Sequence, residues 1–254
     1  MIEVKGLSKR FGGTQVLTDI NAVFQKGKVN QIIGKSGSGK SVLAKCIVGL
    51  HNPEEGQVLY EGRSFHDMDR DEKKLIRQEI GMLFQGSALF DSLNVLQNVM
   101  FPLQMFATMN KAEMEERAHF CLNRVNILEK DRLYPAELSG GMQKRVGIAR
   151  AIAMNPKYLF CDEPNSGLDP QTSILIDDLI KEITEEFNTT TIVITHDMNS
   201  VMETGENIIF INQGRKWWEG TKDDLLNSDN QELNDFIYAG GLMRQVKKAL
   251  TGRS

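Results

Sequence analysis

The chain opens on short runs in which apolar and polar positions alternate. Ile2 and Val4 share one parity, and Ile20, Ala22 and Phe24 do the same before a compact apolar run from Val29 to Ile33. A period of two puts such residues on one face of a strand. Gly12-Gly13 and Lys26-Gly27 fall between the runs, where turns need residues that tolerate positive φ. The first 33 residues therefore read as strands. Val58-Leu59-Tyr60-Glu61-Gly62-Arg63 reads as another strand entering a turn.

From about residue 70 to 156 the period lengthens to that of a helix. Between Lys111 and Leu128, one face collects Met114, Ala118, Cys121, Leu122 and Val125. Compact β-type runs at 157–161, 191–195 and 207–212 then alternate with helical patterns near 170–187 and 197–204. Such alternation predicts an α/β core with a mainly parallel sheet. No internal repeat or low-complexity linker interrupts it, so the helical middle reads as an insertion.

Bulk properties narrow the class. The 254 residues, 41% hydrophobic and 25% charged, suit one large globular domain or one carrying an insertion. A net charge of -4 offers no general attraction to nucleic acid. No apolar run approaches the ~20 residues of a membrane helix. Met1-Ile2-Glu3-Val4-Lys5 lacks the basic-then-apolar order of a signal peptide. Cys46, Cys121 and Cys161 lie in apolar stretches without metal-ligand spacing and read as reduced core residues.

Chemistry enters at Gly34-Lys35-Ser36-Gly37-Ser38-Gly39-Lys40-Ser41, which satisfies G-x-x-x-x-G-K-[ST] directly after the Val29–Ile33 run. In such a loop glycines let backbone N–H groups wrap a β-phosphate. Lys40 reaches the β/γ oxygens, and Ser41 offers a hydroxyl to Mg²⁺. Tyr158-Leu159-Phe160-Cys161-Asp162-Glu163 is an apolar strand ending in two carboxylates, placed where open α/β sheets bind ligands. Asp162 there can orient Mg²⁺, and Glu163 can polarise an attacking water. Thr191 to Thr195 delivers His196 to the same edge, where a neutral imidazole can sense a γ-phosphate. Gln85 ends a further apolar run at the border of the helical insert, where its amide can ligate Mg²⁺ or position water. Phe11 has two readings: stacking on an adenine face, or packing in a hairpin core.

Leu138-Ser139-Gly140-Gly141-Met142 is the feature that a nucleotide site alone does not explain. It opens a helix with free N–H groups, and the helix dipole favours an anion there. One chain thus carries two phosphate-binding helix starts.

Together these segments resemble the ATP-binding subunit of ABC transporters. Gly34–Ser41, Gln85, Leu138–Met142, Tyr158–Glu163, Ser166–Asp169 and His196 follow the order of that family's Walker A, Q-loop, signature, Walker B, D-loop and switch-histidine motifs. The resemblance implies a P-loop NTPase (RecA-like) α/β core with an N-terminal antiparallel β subdomain and an inserted α-helical subdomain. It implies one ATPase domain over 1–241, the helical subdomain at about 86–156, and a short basic tail at 242–254. ATP and Mg²⁺ are the implied cofactors, with Ser41, Gln85 and Asp162 at the metal and Glu163, Gln85 and His196 in catalysis.

The resemblance also explains the second helix start. Two copies pack head-to-tail, and Ser139, Gly140 and Gly141 of one serve the nucleotide of the other, with Asp169 linking the sites. An integral-membrane permease is expected to dock near 86–105, holding the chain at the cytoplasmic face of the inner membrane. A substrate-binding protein and a small regulatory subunit are further candidate partners, and nucleic acid is not. Leu89, Phe90 and Leu93 read either as that docking surface or as core of the insert. The tail, with Arg244, Lys247, Lys248 and Arg253, reads either as an arm across the dimer or as a solvated end.

Met142 departs from the glutamine common at the fifth signature position and cannot make its amide contact. The Leu-Ser-Gly-Gly-Met form and the segment Gly86–Val95 resemble the ATPases of Mla/Mce-type lipid transport. Phospholipid movement between membranes is therefore the first expectation for cargo. An importer of small polar solutes such as amino acids is the alternative, and a soluble ABC ATPase the third reading.

Overall fold

The computed structural model describes residues 1–238, so the tail at 242–254 and the last residues of the 1–241 domain lie outside the described residues. β1 (Ile2–Phe11) and β2 (Thr14–Phe24) form a hairpin across Gly12 and Gly13, whose φ values of 53° and 84° are those a tight hairpin turn requires. β3 (Val29–Ile33) leads into α1 (Lys40–Ile47). β4 (Glu55–Tyr60) and β5 (Arg63–Ser64) return beside β1, completing an antiparallel sheet in the order β2-β1-β4-β5.

α2 (Arg70–Gln78) then precedes β6 (Ile80–Leu83), and three helices follow: α3 (Val95–Phe106), α4 (Lys111–Arg124) and α5 (Gly140–Ile152). The rest alternates through β7 (Tyr158–Asp162), α6 (Pro170–Phe187), β8 (Thr190–Thr195), α7 (Met198–Thr204) and β9 (Asn207–Asn212). It closes with β10 (Arg215–Gly220), α8 (Lys222–Leu226) and α9 (Gln231–Ile237). The second sheet runs β10-β9-β3-β8-β7-β6, parallel except for the antiparallel edge strand β10. The architecture is α/β: a mainly parallel sheet that carries an antiparallel β sheet and helical insertions.

One expectation is corrected. The helical period expected from residue 70 is broken by β6, which pairs from Ile80↔Tyr158 to Leu83↔Cys161. A four-residue run is too short to show a period of its own, and its pairing partner lies far along the chain.

Every residue of β3 and β8 is buried, as expected for strands covered on both faces. Alternation sorts β7 between two cores. Tyr158 and Phe160 join Ile2, Leu17, Phe24 and Tyr60 on the side of the antiparallel sheet, while Leu159 and Cys161 face the helices. Cys46, Cys121 and Cys161 are buried and free. Burial pushes their thiols up, to about 11, 11 and 12, which keeps them from acting as nucleophiles. Among the described residues no helix is long and apolar enough to cross a membrane.

The helices α4 and α5 hold each other's ends. Arg117 of α4 donates to the carbonyls of Ile152 (2.9 Å) and Ala153 (2.9 Å), closing the C-terminus of α5. Arg145 of α5 donates to the Asn126 carbonyl (2.9 Å), just past the end of α4. α5 also lies close on β6, where a Cβ on Gly81 would come 2.3 Å from the Ala151 carbonyl oxygen. Gly81→Ala should therefore cost roughly 1–3 kcal/mol of stability. Gly86→Ala, with nothing within 4 Å of its Cβ, should cost much less. Denaturant unfolding of both variants checks the pair, and equal midpoints would show that the β6–α5 contact yields.

Candidate functional site

The phosphate loop begins where β3 ends. Gly34, Gly37 and Gly39 hold φ values of 149°, 77° and 106°, which L side chains rarely adopt. At Gly34 space is also short, since a Cβ would sit 2.1 Å from the Ile211 carbonyl oxygen. Lys35, Ser36 and Gly37 are exposed, whereas Ser38, Gly39 and Lys40 are buried. Lys40 folds back, its Nζ donating to the carbonyls of Gly34 (2.7 Å) and Lys35 (3.0 Å). Burial lowers its pKa, opposed by the charges of Glu163 and Asp162.

The start of α1 is chemically unlike its neighbours. Asp69, Asn94, Asn110, Ser139, Asp169 and Thr221 cap α2, α3, α4, α5, α6 and α8 with side-chain oxygens. α1 has Gly39 at this position, with no side-chain cap and no acidic residue in its first turn. Its N–H groups stay open to an anion, and Ser41 is exposed on that turn.

Two strands bring the remaining polar groups to this edge. β8 lies between β3 and β7, with Ile33 opposite Thr195 and Asp162 opposite Ile194. Glu163 leaves β7 with φ 48°, its N–H bound to the Ile194 carbonyl at 2.9 Å. Its Oε1 lies 2.8 Å from Nδ1 of His196, whose side chain is 66% exposed. Asp162 keeps a buried Oδ1 without a partner, as does Ser38 at Oγ. Burial raises the Asp162 pKa, the Glu163 charge adds to this, and Lys45, Lys40 and Lys144 oppose it. Orphaned oxygen donors beside an exposed serine hydroxyl fit a hard cation such as Mg²⁺. Gln85 is exposed just past β6.

The second helix start lies elsewhere. Ser139 caps α5, accepting from the Met142 N–H at 3.3 Å, and the Met142 side chain packs against apolar neighbours. α5 packs on β6, three strands from β3, a lateral offset of roughly 14 Å. Gly141 instead meets α6, where its Cβ would come 2.6 Å from Thr172 Cγ2. Asp169 is engaged within its own chain, accepting from Thr172 N (3.0 Å) and Oγ1 (2.5 Å), and those bonds lower its pKa.

Phe11 is not core. Its ring is 42% exposed at the hairpin tip, edge-on to His51 at 5.2 Å and under the Lys9 ammonium at 5.0 Å. Phe90 is also exposed and lies against Phe101, whereas Leu89 packs on the core, so the two readings of that segment divide between residues.

An open helix start beside a carboxylate pair is the equipment of a P-loop nucleotide hydrolase. A family model described as ABC transporter matches residues 17–166. The glutamine transport ATP-binding protein GlnQ of Escherichia coli is 42% identical over 239 residues, covering 93% of this chain and 98% of that protein. The methionine import ATP-binding protein MetN of Clostridium tetani is 39% identical over 237 residues, covering 93% and 74%. A solved dimer of the ATP-binding cassette MJ0796, bound to ADP and phosphate, superposes with a TM-score of 0.79 at 36% identity, over 87% of this chain and 99% of that one. The chain belongs to the ABC transporter family. It is an ATPase subunit of that class, with ATP and Mg²⁺ as its cofactors.

Sequence reasoning missed the polar groups beneath these motifs. Lys144 is buried behind Gln85 and Glu163. Asp177 of α6 is buried too, accepting from Asn165 Nδ2 (2.9 Å) and Ser200 Oγ (2.8 Å), and so ties the segment after Glu163 to α7. A charged residue at an apolar position of a helical period is the signal that marks both. Burial pushes the Asp177 pKa up to about 6, with smaller contributions from Asp197 and Asp178, against the two hydrogen bonds. The folded chain then holds this proton more tightly than the unfolded chain. The resulting stability is complete below the ordinary aspartate range and is lost as pH rises through about 6. Asp177→Asn stays neutral, so its thermal midpoint should gain on the parent's as pH is raised from about 4 to 7. Parallel curves would remove Asp177 as the source.

Proposed function

We propose that two copies of this chain close head-to-tail around ATP and drive an importer of small polar solutes such as amino acids. The observation behind the dimer is the separate placement of the two helices on the sheet. α1 follows β3, whereas α5 packs on β6, three strands or roughly 14 Å along the sheet from it, so the two helix starts serve different phosphates. The solved MJ0796 cassette is itself a dimer, which supports the same arrangement.

In this reading the loop Gly34, Lys35, Ser36, Gly37, Ser38, Gly39, Lys40 and Ser41 holds the phosphates through backbone N–H groups, with Lys40 Nζ turning from its own loop to their oxygens. Ser139, Gly140 and Gly141 of the other copy face the γ-phosphate, and Asp169 sets that surface through Thr172. Phe11, exposed at the hairpin tip, stacks on the base. Ser41, Gln85 and Asp162 hold Mg²⁺, which when bound neutralises charge on the phosphate oxygens. Glu163 aligns the attacking water and draws its proton, while His196, 2.8 Å away, holds the carboxylate in place. A permease docks over 86–105, where Phe90, Met105 and Phe106 stand exposed, and this holds the chain at the cytoplasmic membrane face as a peripheral subunit. The helical insert at about 86–156 moves as one arm of the 1–241 domain.

The cargo reading rests on the relatives. Likeness to GlnQ over nearly its whole length, and to MetN, supports a small-solute importer ahead of lipid movement. Lipid transport remains the second reading on one observation, the apolar Met142 in the signature.

Two outcomes test this function. Glu163→Gln should cut ATP turnover by about 100-fold or more while ATP binding survives and a nucleotide-dependent dimer accumulates on gel filtration. Turnover within a few-fold of the parent would end the general-base assignment. For cargo, the transporter copurified with its permease should show ATPase stimulated by an amino acid. Stoichiometric bound phospholipid without such stimulation would reverse the order of the two readings.

A further inference from the structure

Lys144 is only 4% exposed, and no part of the assigned chemistry uses it. It lies one turn into α5, the helix whose first residues form the second anion site. Its ammonium meets three acceptors: the Gln85 carbonyl, the Glu163 carbonyl at 3.2 Å and Ser166 Oγ at 3.3 Å. A lysine has three N–H donors, so this set is complete. Ser166 Oγ also donates to the Gln85 carbonyl at 3.4 Å, which closes the network. Burial lowers the Lys144 pKa, and the nearby charges of Glu163 and Asp162 hold it up.

The contacts have a direction. Gln85 leaves β6 toward the helical segment, and its carbonyl is the point at which Lys144 grips it. Arg150, further along α5, grips the same segment at the carbonyls of Ser87 (2.7 Å) and Ala88 (2.6 Å). Glu163 is held on both sides of its backbone, by Ile194 at its N–H and by Lys144 at its carbonyl. With φ fixed at 48°, those two bonds set where its carboxylate points.

We propose that Lys144 is a positioning residue that ties the aim of Glu163 to the placement of the Gln85 segment and of α5. Any shift of the helical arm then reaches the water-activating carboxylate through one ammonium. This rests on the reading of Glu163 and Gln85 given above. Lys144 touches neither phosphate loop nor base, so nucleotide affinity is outside its reach.

The test is steady-state ATP hydrolysis by the assembled transporter, with sites counted by nucleotide titration. Lys144→Met keeps the buried stem and deletes the ammonium. It should lower kcat per nucleotide site by about tenfold or more and leave KM for ATP within about twofold. Ser166→Ala should produce the same split at smaller amplitude, and the double variant should fall short of the product of the two losses. A purely structural lysine would lower the thermal midpoint and the count of active sites while leaving kcat per site intact, and that result overturns the proposal. A KM that rises in step with the loss of kcat overturns it as well. If Lys144→Met does not fold, Ser166→Ala decides alone: reduced kcat at constant KM supports the tie, and unchanged kcat refutes it. Glu163→Gln, run in parallel, separates the two ideas. Retained turnover there removes the catalytic carboxylate itself, whatever Lys144 does.

Discussion

The parallel pairing of β3 with β8 and of β8 with β7 is the constraint on which the rest of the structure depends. It brings the exits of three strands together: Gly34 after Ile33, His196 after Thr195, and Glu163 after Asp162. Parallel neighbours require long crossover connections, so the groups that meet here come from distant parts of the chain. The register is pinned by burial. Tyr158 and Phe160 belong to one core and Leu159 and Cys161 to the other. A slip of one residue along β7 would exchange these faces and turn Asp162 away together with them. Packing in two hydrophobic cores thus decides where a carboxylate stands.

That edge is electrostatically costly. Lys40 and Lys144 are buried, Asp162 is half-buried with an orphan oxygen, and α1 starts without a cap. Each of these works against stability on its own. They are tolerable together because opposite charges face one another: burial lowers the two lysines, while Asp162 and Glu163 pull them back up. The lysine at 40 spends its donors on two carbonyls of its own loop. In the proposed site those bonds would give way to phosphate oxygens. The departures from good local design gather at the edge proposed to bind anionic phosphate.

What the sequence disclosed was whatever is written in contiguous residues. Gly34 to Ser41, the strand ending at Asp162-Glu163 and the alternation of strands with helices need only local spacing to be read. β6 escaped because four residues carry too little period against a helical background. Lys144 and Asp177 escaped because their partners, Gln85 and Glu163 in one case and Asn165 and Ser200 in the other, are assembled by the fold. Asp169 was legible as a motif residue, but its immediate work, capping α6 through Thr172, shows only in three dimensions. Cargo was the least legible. A methionine and a ten-residue segment pointed to lipid, whereas relatives alike along nearly the full chain carry names of amino-acid transport.

The start of α5, proposed as the second anion site, is better understood as part of a surface than as an isolated helix end. Gly141 has no room for a side chain because Thr172 stands 2.6 Å from where its Cβ would be. Thr172 is itself fixed by both oxygens of Asp169. The starts of α5 and α6 are therefore fitted together without slack. Lys144 carries the same rigidity inward from α5 to the turn that bears Glu163. A phosphate contacting Ser139 from outside would thus press on a continuous path to the carboxylate proposed to activate water in the chain it touches. Interfaces packed this closely switch between discrete arrangements and do not deform gradually. In such a molecule the apparently redundant helix start is the place where one active site would register the state of the other.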